Sequence, residues 1–231
     1  MLGTLSIAAG LLLGGWAFVV WQWGDPITSI YTSWEQRELR SELARVERTY
    51  ALPPSPNASG QPAEVDVAAR AAAVRRQARR LRTSSSPGHA LGRIRVSRLG
   101  LNMVLIGGTD ASSLKRGPGV DGRTHLPGEG QLVYIAGHRT TYSAPLAKID
   151  TLRRGDRIVL EMPYGTFVYS VTRHSIVDDQ DLSVLASHGR EEVALQACHP
   201  RFFASQRYIV WASPAGPTTS TRRASVSSNP A

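Results

Sequence analysis

Residues 89–213 of this 231-residue chain predict a mainly β domain, an antiparallel barrel or sandwich with short helices, preceded by one transmembrane helix and a stalk. Three observations carry that expectation. From about residue 89 onward, short β-rich runs alternate with glycines and with turn signals such as "RRGD" and "PYG". Near the start, Leu2–Trp23 holds no charged residue over 22 positions. Between the two, helical spacing flanks a Pro/Ser/Gly-rich stretch.

Leu2–Trp23 is long enough, at about 1.5 Å per residue, to cross a hydrocarbon core of about 30 Å. Trp16, Trp21 and Trp23 crowd its second half, where interfacial aromatics belong. A cleaved signal peptide fits poorly, because the apolar stretch is too long and no small-x-small site follows "WQWGD". Residues 1–24 are therefore read as an uncleaved anchor. Basic residues alone leave its orientation open: none precedes the span, and Arg37 and Arg40 follow it.

Residues 25–88 are expected to form the stalk and linker. "SWEQRELRSELARVERTY" (33–50) spaces Glu and Arg three to four apart, so that helical side-chain pairs form along it. "ALPPSPNASGQPAEVD" (51–66) reads as a linker. "VAARAAAVRRQARRLRTSSSPG" is a basic helix, suited either to an anionic surface or to a solvated spacer.

In the β domain the expected strands are 93–99, 102–108, 131–138, 157–162, 166–177, 192–199 and 207–213, with helical segments near 111–115 and 144–155. The last segment, 214–231, lacks the apolar residues for a core and is expected to be disordered.

Charge narrows the partners. There are 27 basic and 18 acidic residues, a net +9, but no stretch concentrates them. That pattern favours an anionic lipid or polymer surface and argues against nucleic acid, which calls for a dense basic patch. No spacing of ligand types announces a metal or a phosphate loop; the acidic "DDQD" (178–181) follows no calcium-loop pattern, so neither metal nor cofactor is expected.

The chain holds one cysteine, Cys198, at the end of an apolar run. It cannot close an internal disulfide, which leaves a buried small hydrophobe, an intermolecular bridge or a nucleophile. His138 also ends an apolar strand, in "YIAGHRTTYSAPL", and Arg207 begins the next strand after Cys198. If these strands are neighbours, a thiol, an imidazole and a guanidinium meet at one rim. That trio suffices for acyl transfer: a thiolate attacks, an imidazolium protonates the departing amine, and a fixed cation stabilises the oxyanion.

"AGHRTTYSAP", a strand ending in Cys-His-Pro-Arg, and Arg207 together resemble the sortases, membrane-bound cysteine transpeptidases of Gram-positive bacteria. "GRIRVSRLGLNMVLIGGTD", "LKRGPG" and "HLPGEGQLVYIAGHR" are similar to earlier strands and loops of that family, over about residues 90–213. The "GHRTTY" form is most like class E sortases of high-GC actinobacteria. The resemblance implies a closed sortase β-barrel outside the membrane on a single-pass anchor. It implies Cys198 as nucleophile, His138 as general acid–base and Arg207 as oxyanion and substrate-positioning group.

The implied reaction cleaves a C-terminal sorting signal of an exported protein, LAXTG- or LPXTG-like, between Thr and Gly. It forms a thioester, which an amine of a peptidoglycan precursor then resolves. Tyr142, Leu195 and Ala197 are expected to bind substrate. The chain departs from the family's Thr-Leu-x-Thr-Cys with Ala194-Leu195-Gln196-Ala197-Cys198, which bears on rate and preference. Two alternatives stand beside this reading. One is a pilin-polymerising sortase, although no Asp-Pro-Trp/Phe-type lid appears in 51–90; the other is a weakly catalytic, membrane-tethered module that only binds the signal.

Overall fold

A computed structural model describes residues 26–52 and 63–215, with a few positions between 3 and 15. Most of the expected membrane span, most of the Pro-rich linker and nearly all of the C-terminal segment lie outside the described residues. Among the described residues, no helix is long and apolar enough to cross a membrane.

The chain forms α1 (Pro26–Tyr50), α2 (Ala63–Ser84) and then eight strands. These are β1 (Ala90–Val96), β2 (Leu101–Gly107), β3 (Gly119–Val120), β4 (Leu132–Ala136), β5 (Arg157–Met162), β6 (Gly165–Asp178), β7 (Glu192–His199) and β8 (Gln206–Pro214). A short helix, α3 (Ala111–Arg116), sits between β2 and β3. The strands close into a barrel in the order β1-β2-β3-β4-β7-β8-β6-β5. β5 and β7 match the expected ranges, β3 was not anticipated, and 144–155 yields turns and one short 3-10 helix at Ile149–Thr151. The pairing is mixed, because β2–β3 and β4–β7 run parallel.

The interior is filled by alternate residues of the strands, including Ile94, Leu105, Val133, Ile135, Ile158, Leu160, Leu195 and Val210. Such period-two burial is what a half-buried strand requires. Gly92 allows β1 and β5 to close: a Cβ there would lie 2.6 Å from the Glu161 carbonyl oxygen.

The two described helices of the 25–88 region, expected as stalk, are both packed on the barrel. α1 starts seven residues before the expected stretch and lays Leu39 and Leu43 over Ala90, Val104 and Ile106. Gln36 completes the edge of β2. Its Oε1 accepts from Val104 N–H at 2.7 Å and its Nε2 donates to Val104 C=O at 3.2 Å, groups beyond the reach of two-residue β3. Glu35 meets Arg116 at 2.6 Å, and Thr32 donates to the Lys115 carbonyl at 2.9 Å. α2 buries Ala78 and Leu81 in the barrel core, and its Arg82 makes two hydrogen bonds to Glu129 at 2.8 and 3.1 Å. Arg75, Arg76, Arg79 and Arg80 remain exposed on its outer face.

Leu39 has no exposed surface, so Leu39→Ala is expected to cost about 3 kcal/mol and lower Tm by several degrees. Thermal denaturation checks this. A free stalk helix would leave Tm unchanged.

Candidate active site

β7 carries Cys198 next to its end, and the antiparallel register places Arg207 of β8 directly opposite. β4 lies on the other side of β7, running parallel, with Ala136 opposite Gln196. Gly137 continues that pairing through its N–H to the Gln196 carbonyl at 3.0 Å, which brings His138 level with Cys198. Gly137 also lets the chain turn there, since a Cβ would meet the Leu146 side chain at 3.0 Å. The three expected residues thus come from three adjacent strands and line one cavity of about 250 Å³.

The cavity lies on the outer face of β4, β7 and β8. Tyr134, Ala136, Gln196 and Cys198 form its floor, and Leu182, Val184 and Leu185, between β6 and β7, wall one side. Asp121 and Thr109 stand on the opposite wall. Burial opposes ionisation of Asp121, yet hydrogen bonds from Arg123 and the Thr109 hydroxyl hold its carboxyl below the ordinary value. Asp179 and Asp181 of the acidic run also line the cavity.

Around the His138 ring, burial pushes its pKa down and Lys115 adds to the effect. Its Nε2 is buried and has no hydrogen-bond partner. A neutral imidazole is therefore the favoured resting form, free to accept a proton. Arg207 donates through Nη1 to the carbonyls of Ala204 (2.7 Å) and Gln206 (3.0 Å), while its Nη2 lies 3.7 Å from the Asp179 carboxylate.

Lowering a histidine pKa by folding makes stability fall with acid. As pH drops through the ordinary value of 6.5, unfolded chains take up a proton that the folded chain still refuses. The loss grows until the folded pKa is passed and is then constant. His138→Gln is expected to remove this part of the acid sensitivity. Comparing Tm between pH 7.5 and pH 5 in the two proteins checks it, because every other titrating group cancels in the difference.

The expected substrate contacts come out differently. Leu195 and Ala197 are wholly buried in the barrel core and do not line the cavity. Successive strand residues point to opposite faces, so a cavity-facing Cys198 sends its neighbour Ala197 inward. Ala194 shares the outer face with Cys198 but is covered together with Leu132, Tyr134, Ile209 and Trp211. Tyr142 does not line the cavity either. Its ring stacks on His138, with centroids 5.0 Å apart and a 37° tilt, and Tyr31 of α1 packs against it edge-on.

Sequence reasoning missed Arg139, whose side chain is almost wholly buried. Its Nη1 donates to the Cys198 carbonyl at 3.2 Å and to His199 Nδ1 at 3.0 Å, and its Nη2 is 3.0 Å from Asp150. Arg139 thus ties the segment after His138 to the backbone of Cys198. Its position beside His138 was the available signal, but an arginine after a strand end reads equally well as a surface group. Gln196 on the floor and Tyr31 behind Tyr142 were also missed.

A model of the sortase domain matches residues 94–215, more than half of the chain. The chain belongs to the sortase family. Its mainly β, closed eight-stranded barrel is the sortase fold, and the family's activity is cysteine transpeptidation. Among its relatives, sortase D of Bacillus subtilis (strain 168) is 28% identical over 209 residues, covering 89% of this chain and 93% of that one. Sortase E1 from Streptomyces coelicolor, solved with a tripeptide in its active site, is 26% identical with a TM-score of 0.52, covering 57% of this chain and 91% of that one. A Clostridium perfringens sortase D5 transpeptidase shares the fold at 20% identity and a TM-score of 0.59, covering 79% of this chain and 99% of that one. Relatives called D and E both occur, so sortase membership holds for the family and not for class E in particular.

Proposed function

We propose that this sortase is a membrane-anchored transpeptidase that cleaves an LAXTG- or LPXTG-like C-terminal sorting signal between Thr and Gly and joins the exported protein to a cell-wall amine. The observation that carries the reading is the meeting of Cys198, its register partner Arg207, and His138 on one cavity. The reading of Leu2–Trp23 as a single span, with the barrel outside the cell, rests on the uncharged sequence and on the family's cell-surface role.

In this mechanism the neutral His138 takes the thiol proton, and the Cys198 sulfur attacks the threonine carbonyl carbon. Arg207 stabilises the oxyanion that forms, from a side where its guanidinium is already held by two backbone carbonyls. The carbon–nitrogen bond then breaks, and His138 returns its proton to the departing glycine amine, leaving a thioester. An incoming amine attacks the thioester, gives its proton to His138, and the thiolate leaves and is reprotonated. Gln196 and the Leu182–Leu185 wall flank the path that the extended signal peptide follows toward Cys198.

Mass spectrometry of the protein mixed with LAXTG or LPXTG peptides, with and without an amine, tests the reading. The expected result is a thioester adduct on Cys198 that the amine discharges, and the relative rates of the two peptides rank the signals. No adduct with either peptide would sink it.

A further inference from the structure

We propose that the end of the barrel carrying Cys198 and His138 rests on the surface of a phospholipid bilayer, through Ile30 and Trp34 of α1 and Phe202 and Phe203 of the β7–β8 turn. This rests on the reading of Leu2–Trp23 as a membrane span. Because β4 and β7 run parallel, the segment after His138 and the turn after Cys198 leave the barrel at the same end. The first turns of α1 are docked on that end. Thr28 Oγ1 accepts from the Tyr142 N–H at 2.8 Å, the Ser143 hydroxyl donates to the Ser29 carbonyl, and Tyr31 packs on Tyr142.

α1 begins at Pro26, three residues after Trp23 closes the uncharged stretch. Ile30 therefore lies only about 6 Å further along the helix axis. The catalytic end is the end tethered next to the membrane.

The surface there suits a lipid interface. Ile30 is 75% exposed and Trp34 57%, on one side of α1; Phe202 is 54% and Phe203 82% exposed in the turn. Large apolar side chains gathered at one end of a domain mark a contact surface, and aromatic rings favour the headgroup layer. Arg201, beside the two phenylalanines, is exposed, as are Arg37 and Arg40 on α1, a charge suited to anionic headgroups. Of the carboxylates there, Asp150 lies 3.0 Å from Arg139 and Asp179 3.7 Å from Arg207, while Asp178, opposite Gln206, and Glu38, between Arg37 and Arg40 of α1, are exposed and offset part of that charge. A thioester formed at this end faces the lipid surface, where an amine carried on a lipid arrives by lateral diffusion.

The test uses the full chain with Cys198→Ala, to remove the native thiol, reconstituted in vesicles of phosphatidylglycerol and phosphatidylethanolamine. A bimane label is placed at Ile30→Cys, Phe203→Cys or, as a control, His188→Cys, which is exposed near the start of β7 at the opposite end. Doxyl-labelled lipid is expected to quench positions 30 and 203 several-fold more than 188, with iodide showing the reverse order. Quenching at 203 no greater than at 188 would overturn the proposal, and so would quenching at 30 alone. Resistance of the chain to carbonate extraction separates the two readings: a retained chain with an unquenched 203 keeps the span and loses the docking, and an extracted chain overturns both.

Discussion

Cys198→Ala is expected to abolish the thioester adduct and to lower turnover by on the order of 10⁴-fold or more, as happens when a nucleophile and its base act as one unit. The cysteine is partly exposed at the cavity floor, and the contacts that hold its strand run through the backbone. Arg139 grips the Cys198 carbonyl, and β8 pairs with the main chain at the same position. Alanine removes the sulfur without disturbing either, so Tm should stay within about a degree of wild type, a surface-like change in stability. Cys198→Ser supplies the second variant: it keeps the shape and a hydroxyl, but a far weaker nucleophile at neutral pH, and it is expected to be inactive as well. Retained turnover in the folded alanine variant would place the nucleophile elsewhere.

Arg207→Ala is expected to lower kcat by roughly a hundred- to a thousand-fold, the loss typical of removing one oxyanion-stabilising donor. Its guanidinium is held by the Ala204 and Gln206 carbonyls on one side and approached by Asp179 on the other, so the fork is aimed before substrate arrives. Arg207→Lys keeps the charge and loses the planar fork, and an intermediate rate is expected. Steady-state kinetics with the signal peptide separates two roles. A fall in kcat at constant KM marks oxyanion stabilisation, and a rise in KM alone marks binding of the peptide. Full activity in the alanine variant would remove Arg207 from the mechanism.

Much of this site is readable along the chain because strands are local and periodic. The apolar run 192–199 carries the cysteine next to its end, the run 131–138 ends on the histidine, and the arginine opens the next expected strand. The same periodicity, carried one step further, would have turned Leu195 and Ala197 inward, since neighbours of a cavity-facing cysteine face the core. β3 escaped notice because two residues, Gly119 and Val120, are too short to carry a period. Tyr142 lies near enough to His138 in sequence to suggest a shared site, but its contact with Tyr31, a residue more than a hundred positions away, is set by the fold.

By itself the sequence determined the β domain, its approximate strands, the uncharged stretch at Leu2–Trp23 and the three reactive groups, because composition and period act over a few residues. Only the tertiary structure decided that β4 runs parallel to β7 and so sets His138 beside Cys198. It also decided that α1 and α2 are part of the barrel's packing and that Arg139 is drawn inward to hold the Cys198 carbonyl. These outcomes turn on partners tens of residues apart. An amphipathic, charge-studded helix has the same pattern whether it hangs free or docks, and what settles it is the uncovered β2 edge that Gln36 satisfies and the apolar surface that Leu39 covers.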